Sequence, residues 1–251
     1  MYILFELYIL TLGLILGSFY NVVGLRIPAR ESIVRPRSSC PSCQHVLTAR
    51  ELVPVLSYLV QKGKCRSCGT SISIKYPMME LLTGILFVLS FRLYGFQWET
   101  LVAWTLVSLL MIVVVSDLAY MLIPDKVLLF FLPVVVVLRL FVPLDPWWDM
   151  FLGAAAGFGL LLLIALVSKG GMGGGDIKLY GVLGLVLGFK LVLLSFFLAA
   201  VIGAIVGIFG MIVGKVQRGK PMPFGPSIAG GTLVAYFYGD FLINWYFTFL
   251  I

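Results

Sequence analysis

Three acids and four cysteines are the residues of this chain best suited to chemistry. Asp176 closes a run from Gly170 to Gly175 in which five of six residues are glycine, and apolar stretches flank it at 160–167 and 179–187. Glycine costs a helix about 1 kcal/mol relative to alanine, so the backbone there is expected to depart from plain helix. Two readings of Asp176 stay open. It N-caps the helix that follows, or the glycines let backbone and substrate approach a carboxylate that works. Asp117 ends an apolar segment with no charge from Ser108 to Val115, and Asp125 follows in the string SDLAYMLIPDK. Ile123-Pro124 disfavours continuous helix, which puts Asp125 in a loop and Asp117 about two helical turns deeper. Carboxylates brought close enough to share one proton can activate a water and protonate a leaving amine. The alternative for Asp117 is a helix-end acid reaching the interface, paired with Lys126 or Lys178.

The cysteines form two C-x-x-C pairs, Cys40 with Cys43 and Cys65 with Cys68, separated by 21 residues. That spacing approximates a four-thiolate zinc site, in which each pair forms a knuckle and the metal joins both. A loop of this size has little core of its own, so metal ligation would supply much of its folding energy. The competing reading is a pair of disulfides or redox dithiols, which a cytoplasmic location disfavours. His45 is the single histidine and reads as a surface residue beside the four thiolates. With no other histidine, Ser-His-Asp or Cys-His chemistry is not expected.

The elements that must position these groups are apolar helices. Of 251 residues, 61% are hydrophobic and 12% charged; soluble domains carry about 25% charged residues, so an integral membrane protein is expected. Spans are placed near 3–24, 78–96, 101–121, 127–143, 149–167, 178–189, 191–214 and 226–249. The segment 178–189 is short for a span, and either forms a half-helix or joins 191–214 through a bend at Gly188-Phe189-Lys190. No cleavable signal is expected, because no basic region precedes Leu4 to Leu16.

Charge gives the orientation. The first loop holds Arg26, Arg30, Arg35, Arg37, Arg50, Lys62, Lys64, Arg66 and Lys75; shorter loops hold Lys126, Lys169, Lys178, Lys215, Arg218 and Lys220. Fifteen of the eighteen basic residues then share one face, with Glu6, Glu99, Asp145, Asp149 and Asp240 on the other. By the positive-inside rule this is an all-α polytopic membrane protein of about eight transmembrane helices, both termini outside, with a cytoplasmic four-cysteine zinc-binding loop. Insertion topology and headgroup attraction account for the net charge of +7, and no nucleic acid is implied.

In this order the motifs resemble the type IV prepilin peptidases, membrane aspartic proteases with a G-x-G-D motif. Gly17-Ser18-Phe19-Tyr20-Asn21 with Arg26-Ile27-Pro28 is similar to the family's opening signature. The cysteine pairs follow, then Glu51-Leu52-Val53-Pro54 and Tyr76-Pro77 before Glu80. Asp117 with Ile123-Pro124-Asp125 resembles the first aspartate block, Gly173-Gly174-Gly175-Asp176 the second, and Pro223-Phe224-Gly225-Pro226 the block before the last helix. Tyr20 and Gly24 depart from the family pattern.

The resemblance implies an enzyme of the bacterial cytoplasmic membrane. It would cut the leader from type IV prepilins or from pilin-like secretion or competence subunits, then N-methylate the new terminus with S-adenosylmethionine. Its catalytic pair would be Asp117 and Asp176, with Asp125 outside it, and its zinc ligands Cys40, Cys43, Cys65 and Cys68. The implied domains are a first transmembrane helix (1–24), a cytoplasmic zinc-binding loop associated with methyl transfer (25–77) and a membrane aspartic peptidase domain (78–251). Glu51, Glu80 and the segment from Gly17 to Arg26 are candidates for the S-adenosylmethionine pocket. Two alternatives stand beside this: a peptidase without methyltransferase activity, and a transporter whose broken helices carry Asp117, Asp125 and Asp176 along an ion path.

Overall fold

The computed structural model describes residues 2–168, 171–214 and 222–250. Lys169, Gly170, Lys215, Arg218 and Lys220, invoked above, lie outside the described residues. The chain is helical: α1 (Tyr2–Arg26), a 3-10 turn (Ala49–Leu52), α2 (Leu56–Val60), α3 (Lys75–Tyr94), α4 (Trp98–Tyr120), α5 (Asp125–Phe141), α6 (Asp149–Val167), α7 (Gly174–Ile212) and α8 (Gly225–Leu250). Two isolated bridges, Ser39 with Val46 and Lys64 with Ser71, are the extended pairing found among the described residues. Two compact units divide at the end of α4, Met1–Val115 and Ser116–Ile251.

Five of the described helices are long and apolar enough to cross a membrane: α1, α3, α4, α6 and α7. Their packing is that of helices in lipid. On α6, Phe151, Leu152, Phe158, Leu163 and Leu166 are exposed, while Gly153 and Gly157 face inward. Without water to drive apolar side chains together, close approach of small residues holds such helices. A Cβ built on Gly153 would stand 2.4 Å from the Gly184 carbonyl of α7, so no side chain fits at that contact.

In the first unit α1 packs along α3, with an ion pair between Glu6 and Arg92 at 2.7 Å. The two departures from the family pattern are packing residues. The Tyr20 hydroxyl lies 2.5 Å from Ser108 Oγ, and Gly24 abuts Val115.

Among the described residues seven long helical elements cover the eight expected segments, one of them kinked into two. Segments 178–189 and 191–214 belong to one 39-residue helix, α7, which breaks at Gly188 (φ 74°, ψ −178°). Tyr180 and Phe196, sixteen residues apart, would be about 24 Å apart along a straight helix, yet their rings meet at 5.8 Å. The helix therefore folds back on itself, which places the bend where the alternative reading of 178–189 put it. Breaking a helix strands backbone groups. Arg139 of α5 is buried and donates from Nε (3.1 Å) and Nη2 (2.6 Å) to the Val186 carbonyl before the break. Asp149, in the first turn of α6, accepts the Phe189 amide after it at 3.2 Å.

An alanine Cβ at Gly188 would lie 2.1 Å from Asp149 Oδ2 on a left-handed backbone. Gly188→Ala is therefore expected to destabilise the second unit by about 2 kcal/mol or more, read as a lowered thermal midpoint in detergent.

Candidate active site and metal centre

The four cysteines converge. Their sulfurs all lie within 4.8 Å of one another. The Cys40–Cys68 and Cys43–Cys65 separations are 3.8 and 3.9 Å. A disulfide requires about 2.05 Å, whereas zinc–sulfur bonds of about 2.3 Å in a tetrahedron set sulfurs about 3.8 Å apart. The two knuckles are built alike. Cys40 N–H donates to the His45 carbonyl and Gln44 N–H back to Cys40; Cys65 N–H donates to Thr70 and Gly69 N–H back to Cys65, all at 2.9 Å. Each hairpin turns through a left-handed residue just after its second cysteine, Gln44 (φ 59°) and Gly69 (φ 72°).

These turns aim backbone amides at sulfur. The Cys43 and Ser42 amides hold the Cys40 thiol below its ordinary pKa, and the Thr70 hydroxyl and amide draw Cys68 down to about 6. The His45 amide acts the same way on Cys43, but burial and the neighbouring thiols outweigh it and push that group up to about 12. Four thiols this close cannot all ionise without a cation between them, so the donor set fits a thiophilic divalent metal.

His45 is partly exposed, as a surface residue would be, and it has a partner. Its Nε2 lies 3.2 Å from Glu51 Oε2. The same oxygen accepts from the Thr48 amide (2.9 Å) and hydroxyl (2.8 Å). The Thr48 amide first, then its hydroxyl and His45, hold the Glu51 carboxyl down to about 2.

In the second unit each expected carboxylate accepts a backbone amide at a helix N-terminus. Asp117 lies in the last turn of α4, is buried, and accepts the Gly225 amide at 2.6 Å. Gly225 opens α8, so the positive end of that helix dipole faces Asp117. A Cβ at Gly225 would stand 2.8 Å from Asp117 Oδ2 and 2.9 Å from its Cβ, so glycine is what permits this approach.

Asp176 does not N-cap α7, contrary to one of the two readings. Gly173 is the N-cap, and Asp176, three residues on, reaches back to accept the Gly173 amide. The first-turn acid thus faces a second positive dipole end. The Asp117 carboxylate lies within electrostatic range of Asp176. Two helix N-termini therefore offset the repulsion of two acids, one buried and one half-buried behind the exposed Gly173 and Gly174.

Asp125 stands apart. It is exposed and held by Lys178 Nζ at 2.8 and 2.9 Å, so Lys178 pairs with Asp125 and not with Asp117.

Two residues here escaped the sequence reading. The Gly225 amide carries no side-chain signal, although it sits inside a noted motif. Tyr180 follows Asp176 by one helical turn and is fully buried, and its hydroxyl finds no well-formed hydrogen bond among the described residues. Spacing of i and i+4 from an intramembrane acid was the available clue. Gly225→Ala is expected to cut any activity that depends on Asp117 by about 100-fold or more, the scale of losing one preorganised donor, measured as initial rate on purified protein.

Long apolar helices, two carboxylates within electrostatic range of each other and a cluster of four cysteines able to hold a metal ion define the class: a helical membrane protein with a candidate acid pair and a candidate metal site. Comparison with known proteins narrows this. Residues 11–94 match the Bacterial Peptidase A24 N-terminal domain and residues 104–208 the Type IV leader peptidase family. The chain is 50% identical over 234 residues to the prepilin leader peptidase/N-methyltransferase of Bacillus subtilis (strain 168), covering 93% of this chain and 94% of that one. It is 35% identical over 264 residues to the protein of that name in Aeromonas salmonicida (strain A449), covering 93% and 91%. It is 34% identical over 272 residues to that of Neisseria gonorrhoeae, covering 94% and 93%. No solved structure matches. The chain belongs to the type IV leader peptidase family.

Proposed function

We propose that Asp117 and Asp176 work as one aspartic pair that cleaves the leader from type IV prepilins or pilin-like secretion and competence subunits. The chain is a membrane leader peptidase and N-methyltransferase. The observation that carries this is the setting of the two carboxylates, each against a helix N-terminus and within range of the other's charge. One acid is ionised and takes a proton from the attacking water. The other is protonated and gives its proton to the leaving amine, so the pair exchanges roles between turnovers and titrates as a unit. Exposed Gly173 and Gly174 leave room for an extended substrate strand beside Asp176.

The four cysteines would hold zinc, which would fold residues 25–77 into the part that serves methyl transfer. When bound, S-adenosylmethionine would supply the methyl group for the new N-terminal amine. Residues 1–24 anchor this part, and 78–251 form the peptidase. The zinc-bearing loop and both aspartates face the cytoplasm, on the side that carries most Lys and Arg.

Purified protein given a prepilin and S-adenosylmethionine tests the whole reading by mass spectrometry. Loss of the leader followed by gain of one methyl group is expected. A cleaved but unmethylated product would leave a peptidase alone, and an intact prepilin would overturn the reading.

A further inference from the structure

The first unit carries a half-open cavity of about 580 Å³, bounded by the end of α1, the start of α3 and the cysteine-bearing segment. Its volume falls in the range of small-molecule sites. Among its lining residues are Asn21 and Arg26 of α1, Glu51 and Tyr58 of the intervening segment, and Tyr76 and Glu80 of α3. We infer that this cavity is the S-adenosylmethionine site, an assignment that rests on the methyl-transfer reading above.

Charge is the first reason. Glu51 and Glu80 are both only 8% exposed. Glu80 takes the Val55 amide at 2.8 Å and the Ser18 hydroxyl, and has no Lys, Arg or His in contact with it among the described residues. A buried carboxylate without a counter-cation costs several kcal/mol, and a cationic ligand offsets that cost. The methyl donor carries a sulfonium and an ammonium, together with a ribose diol that donates to carboxylates. The three hydrogen bonds on Glu51 all fall on Oε2 and leave the lone pairs of Oε1 for such donors.

The rest of the lining matches the rest of the molecule. Tyr58 and Tyr76 put two aromatic rings in the lining, the kind of side chain against which an adenine packs. Arg26 supplies a positive charge for the donor's own carboxylate, and Asn21, buried and tethered to the Tyr76 carbonyl at 3.2 Å, fixes α1 against α3 at the cavity wall. Two buried carboxylates also repel nucleotide phosphates, so the site discriminates this cationic adenosine from the more abundant anionic ones. Cys40 and Cys65 belong to the same lining, so the cysteine cluster forms part of one wall.

Equilibrium binding of tritiated S-adenosylmethionine to the purified full-length protein tests this, with ultraviolet cross-linking to map the label. Wild type and Asp125→Asn are expected to bind equally, and Glu80→Gln at least 10-fold more weakly with unchanged metal content and thermal midpoint. The label is expected on peptides between Ser18 and Glu80. Undiminished binding by Glu80→Gln, or label confined to residues 116–251, would overturn the assignment while sparing the methyl-transfer reading. Absence of any binding by wild type would overturn both.

Discussion

Asp117→Asn and Asp176→Asn are each expected to slow prepilin cleavage by about 1,000-fold or more, within the range attributed to a lost general acid or base. Asparagine keeps the size of the side chain and can still accept the Gly225 or Gly173 amide, so the helices that frame the site stay in place. On the proposed mechanism, what is lost is the shared proton. Asp125→Asn separates proximity from participation. Asp125 belongs to the same stretch of sequence, but it is exposed and tied to Lys178. Exposed ion pairs contribute about 0–1 kcal/mol, so this variant should cleave within about 3-fold of wild type. The measurement is the initial rate on a purified prepilin, with each variant's thermal midpoint taken alongside. A Lys178 pairing would make Asp125 matter for anchoring α5 to α7 and not for the chemical step.

The second large effect concerns the metal. Replacing Cys40 and Cys68 by serine is expected to lower bound zinc from about one ion per chain to essentially none, since each knuckle loses a thiolate. Zinc binding of this type is worth about 10–16 kcal/mol to small modules, and between α1 and α3 the chain holds only the 3-10 turn and α2 as helical structure beyond the knuckles. That segment should therefore unfold in the variant, seen as new protease-sensitive sites and loss of methyl transfer by about 100-fold or more. Cleavage should fall far less, because Asp117 and Asp176 are held by α4, α7 and α8. Metal content, limited proteolysis and the two product masses check each part. Equal loss of both activities would assign the module a role in cleavage as well.

The helical frame was readable because composition and charge report it directly. A chain this apolar with its basic residues collected in a few loops has few other solutions. The cysteine cluster was readable for a similar reason, since its spacing encodes the knuckle geometry. The break in α7 was half readable. Hydropathy sees Gly188-Phe189-Lys190 as an interruption, but whether the chain ends a span or folds back depends on what receives the freed backbone groups. Those receivers are Arg139 and Asp149, 49 and 39 residues earlier in the chain from Gly188. A lone arginine in the 127–143 segment gave no hint of this.

The position of Asp176 shows the same limit at finer scale. In a run of glycines any of several residues can start the helix, and the choice of Gly173 as N-cap follows from the reach of the Asp176 side chain to its amide. The partner of His45 was not legible because it arrives six residues later, on a 3-10 turn whose placement depends on Thr48 and Glu51 capping each other.

The double variant tests the central claim most directly. If Asp117 and Asp176 share one proton and act as a unit, removing the second after the first costs little more, as catalytic groups acting together are strongly non-additive. Cleavage rates of wild type, both single Asn variants and Asp117→Asn/Asp176→Asn should place the double within about 3-fold of the slower single. Losses that multiply, so that the double falls about 1,000-fold below each single, would mean two independent carboxylates and would contradict a shared aspartic site.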